Sequence, residues 1–362
     1  MVSGLYAVKY DGDYCNWDNG FVMKEWLFGK TLAELGEVAS RLGMPRFAAR
    51  QMAVWLYGKS VRSIAQMTDI SLRNREALEA EYEIGLFSPI DMAASSDGTK
   101  KYLFPTLKGA YIEAVYIPDG ERGTLCVSSQ AGCRMGCEFC VTGKQGLHHS
   151  LTAGEIVNQL RSIPERDRIT NMVYMGMGEP MDNIAEVLKS LEILTSDWGY
   201  GWSPTRITVS TVGILGGLKE LLDKSRVHVA VSLHDPFSAE RAAIMPVEKA
   251  FPVEKVVELL KSYDFTGQRR VSFEYIVLKG LNDSPEHIKG LARLLDGLKC
   301  RINLIRFHDS PGSRFVSPDD ARMVRFRDAL SQKGIITTIR ASRGEDIQAA
   351  CGLLSAEKSA GK

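Results

Sequence analysis

The stretch RGTLCVSSQAGCRMGCEFC, Arg122 to Cys140, sets the reading of the whole chain. Its first half holds TLCVSS, Thr124 to Ser129, a short apolar run of the kind that forms a buried strand. It passes at once into a glycine-punctuated loop carrying Cys133, Cys137 and Cys140. From Thr124 onward the strand signal returns at regular intervals, in ITNMVYMG, RITVSTVG, VHVAVSLH, RVSFEYIVLKG, RINLIRFH and a last run at ITTIRAS. Helical periods lie between: LTAGEIVNQLRS, DNIAEVLKSLEILTS, LGGLKELLDK, PVEKVVELLKSY, SPEHIKGLARLL and PDDARMVRFRDALSQ. Thr152 with Glu155 supplies a capping box for the first of these. Alternation this regular requires parallel strands joined by crossover helices, so the fold class is α/β, in a barrel or a doubly wound sheet.

Upstream the pattern changes. TLAELGEVASRLGMPRF opens on a second capping box, Thr31 with Glu34, and puts Leu32, Leu35, Val38 and Leu42 on one face. Gly43 stops that helix and Pro45 can open the next. PRFAARQMAVWLYGK and SLRNREALEAEYE read as two more helices, so residues 26–95 form a small all-α domain. SSDGTK punctuates the join, and KKYLFP with AYIEAVYIP alternate as a β-hairpin in a linking region, 96–123. Residues 124–354 are the α/β core, and residues 1–25 show no period and read as a loose extension.

The chain has 362 residues, 44% apolar and 25% charged, the balance of a soluble globular protein. No apolar run approaches the ~18 residues of a membrane span, and the N-terminus has no signal-peptide core, so a cytoplasmic protein is expected. Seven cysteines, an odd count with three clustered, argue for metal chemistry in a reducing compartment over a disulfide frame. A net charge of +1 hides two basic zones: six basic residues against one acid over 46–75, and ten against four over 299–343. These zones are either one face for nucleic-acid phosphates or ordinary helix surface, and charge alone leaves both open.

The uncommon residues gather at strand ends. The cysteine cluster follows the first strand and GMGEP, Gly176 to Pro180, the second. Ser210 lies near the end of the third, and SLH (Ser232 to His234) ends the fourth and RFHD (Arg306 to Asp309) the sixth. In parallel α/β folds those ends share one rim, and that rim carries the site. Three clustered thiolates suit either zinc, with His148 or His149 as fourth ligand, or an iron–sulfur cluster with one iron free. Zinc sites usually take two CxxC pairs, and no second pair exists here.

CxxxCxxC with Phe139 before the third cysteine, followed by GMGEP, resembles the radical S-adenosylmethionine (SAM) enzymes. RGTLCVSSQAGCRMGCEFC, TNMVYMGMGEP, RITVSTVG, VAVSLH and RASRGEDIQAACG together resemble the RlmN/Cfr family of RNA adenosine methyltransferases, and sit nearer its C2 branch than its C8 branch. The resemblance spans about residues 27–355. It implies a partial (β/α)6 TIM-like barrel with the small all-α domain at its N-terminus. It implies one 4Fe-4S cluster on Cys133, Cys137 and Cys140, whose open iron binds the methionine part of SAM, and two SAM per turnover. SAM contacts fall on Gly178, Glu179, Ser210, Ser232, Leu233 and His234. His308 stands where better-known members carry Asn, so its SAM contact has a different geometry. Cys351 matches the methyl-carrying cysteine, Cys126 the resolving cysteine that forms a transient disulfide with it, and Glu113 a proton acceptor.

Apart from the family, Cys126 reads as a small buried strand residue and Cys351 as core filler near a helix end. Glu113 reads as a solvent-facing strand glutamate, and His234 as a satisfied core histidine. Cys15 and Cys300 match nothing functional. The activity implied is methylation of C2 of an adenosine in the peptidyl-transferase region of 23S rRNA, with tRNA as a further substrate. C2 of adenine is an electron-poor amidine carbon and cannot attack a methyl donor, which is why radical chemistry is needed. In the implied route a deoxyadenosyl radical takes hydrogen from the methyl on Cys351, and the carbon radical left on sulfur adds to the base. The alternatives are C8 methylation of the same base and, in another class, a non-catalytic zinc-containing RNA-binding protein. Expected partners are 23S rRNA, as protein-poor rRNA or an assembly intermediate, tRNA and a reductant such as flavodoxin or ferredoxin, with no membrane and a monomeric chain.

Overall fold

The computed structural model describes residues 24–308 and 313–356, with the backbone alone of a short antiparallel pair, Val8–Tyr10 and Asp13–Cys15. The extension read at 1–25 and Asp309 of RFHD therefore lie largely outside the described residues.

The N-terminal domain is helical as its periodicity requires. Helix Leu32–Arg41 starts at Thr31, whose hydroxyl accepts the Glu34 amide at 3.3 Å while the Glu34 carboxylate accepts the Thr31 amide at 2.7 Å. Helix Ala48–Ala53 runs into a single π turn, Val54–Gly58, and Leu72–Glu81 follows. A two-residue parallel pair, Glu25–Trp26 with Tyr82–Glu83, ties the ends of the domain together. Its apolar core of Leu35, Met52, Leu56, Tyr57 and Leu78 continues into Val157, Ile193 and Trp198 of the next domain. The small domain is thus docked on the larger one through a shared core.

The large domain is built on a ten-stranded sheet: β1 (Asp91–Ala94), β2 (Lys100–Pro105), β3 (Tyr111–Asp119), β4 (Arg122–Cys126), β5 (Asn171–Tyr174), β6 (Ile207–Thr211), β7 (His228–Ser232), β8 (Val271–Val277), β9 (Arg301–Arg306) and β10 (Ile336–Ile339). Spatial order follows sequence order from end to end. β1 to β4 are antiparallel neighbours, and β4 to β10 are parallel. Crossovers of one hand along a sheet wound in one direction put the helices on one face and curl the sheet, giving the partial barrel. β1 and β10 are its two edges.

Two features depart from the linear reading. β1 was not expected, because DMAA carries little strand propensity and its place comes from pairing with β2. Segment 96–123, expected as a linking hairpin, is hydrogen-bonded into the barrel sheet, with Val115 opposite Cys126 across a tight turn where Gly120 takes φ +58°. Both faces of β3 are covered, so alternation fails there: Ile112 to Tyr116 are all buried, Glu113 included.

The rim is held by one buried guanidinium. Arg241, wholly buried on helix Ser238–Ile244, donates to the carbonyls of Leu233 (2.9 Å), Ser232 (2.8 Å) and Val212 (3.0 Å) and pairs with Glu248. It satisfies carbonyls that the ends of β6 and β7 leave without ladder partners, and its charge is matched inside the protein.

Candidate active site

A cavity opens at the C-terminal ends of the parallel strands. Cys133, Cys137, Cys140, Gly178, Glu179, Ser210, Ser232, His234 and Cys351 line it, so residues spread over more than two hundred positions meet in one place. Leu233 and His308, expected with the SAM contacts, are not in that lining. The Leu233 side chain is fully buried in the core, which leaves only its backbone near the site. The His308 ring is engaged elsewhere, Nε2 with Ser342 Oγ at 3.0 Å and Nδ1 3.7 Å from Glu345.

The cysteine loop is set by a hairpin, Gln130–Cys133 against Gly146–Ser150. Gly132 takes φ +76°, and a Cβ there would lie 2.0 Å from the Gly146 carbonyl oxygen, so only glycine lets the hairpin close beside Cys133. Burial pushes the Cys133 thiol up to about 12 and raises Cys137 and Cys140 too, with Cys140 adding to the shift of the other two. Thiols held this way ionise only against added positive charge, which an iron–sulfur cluster supplies. The three sulfurs do not converge as ligands of one ion: among the described residues the group whose ligand atoms lie within 4.8 Å of one another is Asp235, Glu240 and His287. Thiolates on a single tetrahedral zinc stand about 3.8 Å apart. His148 and His149, the ligands considered for zinc, are outside the cavity lining. The donor set fits a cluster better than one zinc ion.

Glu179 is buried, and its carboxylate accepts from Thr211 Oγ1 (2.6 Å), Val212 N (3.0 Å) and Met181 N (3.0 Å). Burial still pushes it up to about 7. A cationic amino group beside it would hold it as the carboxylate, which suits the amino end of SAM. Gly178, at φ +96°, lets the chain turn there; a Cβ would stand 2.7 Å from Gln130 N. Gly178→Ala is therefore expected to displace Glu179 and weaken SAM binding at least tenfold, about 1.4 kcal/mol, read by equilibrium dialysis. His234 sits at φ +58°, with Nδ1 accepting the Ile276 amide at 3.0 Å and its ring edge-on to Phe139 at 4.8 Å. Burial drops its pKa to about 3, so the ring is neutral and Nε2 carries its proton.

The far wall is the C-terminal segment. Gly352 O accepts the Val141 amide at 2.8 Å, Leu354 O accepts Thr142 Oγ1 at 2.6 Å, and Ser355 N donates to Glu113 Oε2 at 3.0 Å. These bonds hold Cys351 beside the cysteine loop. Cys126 at the end of β4 is buried, and its thiol is pushed up to about 12, first by burial and then by Cys351. Glu113, taken alone as solvent-facing, is buried and paired with Lys101 at 3.0 Å.

Two charged residues of the lining carry no site assignment from the sequence, Glu274 on β8 and Arg340 just after β10. Glu274 Oε1 accepts from Asn303 Nδ2 at 2.8 Å; its Oε2 is buried without a hydrogen bond, 3.6 Å from the Arg340 guanidinium. The signal for Glu274 was an acid inside an apolar strand, VSFEYIV.

Over residues 127–295 the chain matches the radical SAM superfamily, and over residues 26–84 the ribosomal RNA large subunit methyltransferase N-terminal domain. It is 58% identical over 332 residues to the probable dual-specificity RNA methyltransferase RlmN of Bacteroides thetaiotaomicron, a match covering 92% of this chain and 96% of that one. To the dual-specificity RNA methyltransferase RlmN of Syntrophobacter fumaroxidans it is 43% identical over 331 residues, covering 90% and 97%. The crystal structure of a radical SAM methyltransferase from Sphaerobacter thermophilus superposes with a TM-score of 0.86 at 39% identity, over 92% of this chain and 99% of that one.

Proposed function

This chain belongs to the RlmN family of radical SAM RNA methyltransferases, and we propose that it methylates C2 of an adenosine in the peptidyl-transferase region of 23S rRNA and an adenosine of tRNA. The observation that carries this reading is that Cys351 lines the same cavity as Cys133, Cys137 and Cys140, close enough to Cys126 to raise its pKa. Bound at the three cluster cysteines, with Gly178, Glu179, Ser210, Ser232 and His234 around SAM, a 4Fe-4S cluster and SAM supply the one-electron chemistry that no side chain offers.

The side chains do the rest. Cys351 carries the methyl group as a thioether, an ordinary role for a thiolate nucleophile. Glu113, the buried acid hydrogen-bonded to the carrier segment at Ser355, accepts the proton lost from C2. Cys126, giving up its proton, then attacks the Cys351 sulfur: an S–S bond forms, the S–C bond breaks with its electron pair left on the carbon, and that carbon takes up a proton as the methylated base leaves; the adduct's unpaired electron would return to a cluster held by Cys133, Cys137 and Cys140. The raised pKa of Cys126 keeps it a dormant thiol until that step.

The target base must leave its stack to reach this cavity. A groove of about 750 Å³ between the small domain and the barrel is lined by Arg62, Arg161 and Arg166 together with Glu79, Glu83 and Asp167; Arg161 is buried and Arg166 lies 3.7 Å from Asp167, so Arg62 is the residue assigned to RNA phosphates. The second basic zone suits this less, since Arg306, Arg322, Arg327 and Arg343 pair with Asp320, Asp283, Asp328 and Asp119. No helix among the described residues is long and apolar enough to cross a membrane. The reading puts the enzyme in the cytoplasm, drawing electrons from a carrier such as flavodoxin or ferredoxin.

The test is reaction of the reconstituted enzyme with methyl-labelled SAM, reductant, and protein-free 23S rRNA fragments or tRNA, followed by nucleoside mass spectrometry. 2-Methyladenosine from both RNAs is expected. 8-Methyladenosine would move the enzyme to the C8 branch. A purified protein with zinc at the three cysteines and no iron would end the radical reading.

A further inference from the structure

We propose that Asp235, Glu240 and His287 form a divalent-metal site, best suited to zinc, separate from the cavity that holds the cluster cysteines. Asp235 follows His234 after β7, Glu240 lies on helix Ser238–Ile244, and His287 on helix Pro285–Leu294. One ligand atom from each lies within 4.8 Å of the other two.

The second observation is an orphaned oxygen. Asp235 is wholly buried; its Oδ1 accepts the Phe237 amide at 2.8 Å, and its Oδ2 has no hydrogen-bond partner. A buried carboxylate oxygen without a donor is costly, and native structures fill such positions. Oδ2 stands 3.6 Å from His287 Nε2, too far for a hydrogen bond. Two nitrogen or oxygen ligands of one tetrahedral zinc are about 3.3 Å apart, so an ion between these atoms needs only a small adjustment.

The surroundings match a metal-bound imidazole. His287 Nε2 also faces Glu240 Oε2 at 2.9 Å, while Nδ1 is engaged by Ser284 Oγ at 2.8 Å. Metal-ligating histidines are usually fixed through the other ring nitrogen in this way. The Phe237 ring packs edge-on against the imidazole at 5.3 Å and helps set its plane. Two carboxylates and a neutral imidazole balance a dication, and one imidazole with two carboxylates is a donor set zinc accepts. Glu240, with 47% of its side chain open, supplies the path in and leaves a fourth position for water. The ion takes the place of a proton that His287 Nε2 would otherwise hold against Glu240 alone. Bound there, it pins the loop after β7, and with it His234 on the cavity wall, to two helices.

The test uses the full chain with its cluster reconstituted, equilibrated with zinc, passed over a chelating resin, and analysed for zinc and iron. Wild type is expected to retain about one zinc per chain with its iron unchanged. Asp235→Asn and Glu240→Gln are expected to bind zinc at least tenfold more weakly, with the cluster's visible absorbance intact. Zinc should also raise the thermal midpoint of wild type and not of Glu240→Gln. Glu240 is half exposed, so that variant carries the test if Asp235→Asn does not fold. No retained zinc, equal retention by wild type and Glu240→Gln, or zinc gained only as iron is lost would each overturn the proposal.

Discussion

Cys126→Ala is expected to stop turnover and leave RNA covalently joined to the protein through Cys351. On the proposed route, once the carrier carbon is attached to the base, Cys351 holds the RNA through a thioether, which water does not cleave. Release needs a second sulfur to attack the first, and Cys126, buried and electrostatically coupled to Cys351, is the sulfur assigned to that attack. Alanine removes that nucleophile and little else. The site is buried at the end of β4, and loss of one sulfur costs about 1 kcal/mol in packing, too little to unfold a domain with a core this large. Product should fall below about one per chain, and a band resistant to denaturing electrophoresis should appear with RNA, SAM and reductant. Cys126→Ala with Cys351→Ala should give no such band. Normal turnover by Cys126→Ala without an adduct would remove Cys126 from the resolving role.

How far the residues alone revealed this site depends on the range over which each acts. The capping boxes at Thr31–Glu34 and Thr152–Glu155 are local, and both form as written. The placing of Cys133, Glu179, Ser210 and Ser232 at strand ends followed from the βα period, because parallel strands put those ends on one rim. Glu113 shows where such reasoning stops. Its sequence, YIEAVYI, looks half exposed, and nothing local says that β3 is covered on both faces and that Ser355 donates to the acid. Nothing local in the sequence singles out Arg241, which closes the ends of β6 and β7. Pairing of β1 with β2, and the bonds from Val141 and Thr142 to the C-terminal segment, join positions that no periodicity links.

Arg340 is the residue whose replacement should separate positioning from stability. Its guanidinium lines the cavity with 31% of the side chain open, 3.3 Å from Met175 Sδ and 3.6 Å from Glu274 Oε2. Negative charge on Cys351, then on Glu274 and Cys126, holds it more firmly protonated, outweighing burial. It lines the same cavity as the Cys351 sulfur, which on the proposed route accepts a methyl group. Arg340→Met should lower methyl loading of Cys351 about a hundredfold, measured by mass spectrometry of the peptide. It should also cost about 2 kcal/mol in urea unfolding, because Glu274 Oε2 loses the cation paired with it. The second effect has its own remedy. Glu274→Gln in the same chain removes the stranded charge, so stability should recover by most of that amount. Loading should stay low, since the glutamine does nothing for the sulfur. If the double variant regained wild-type loading, Arg340 would be a counter-ion for Glu274 and nothing more.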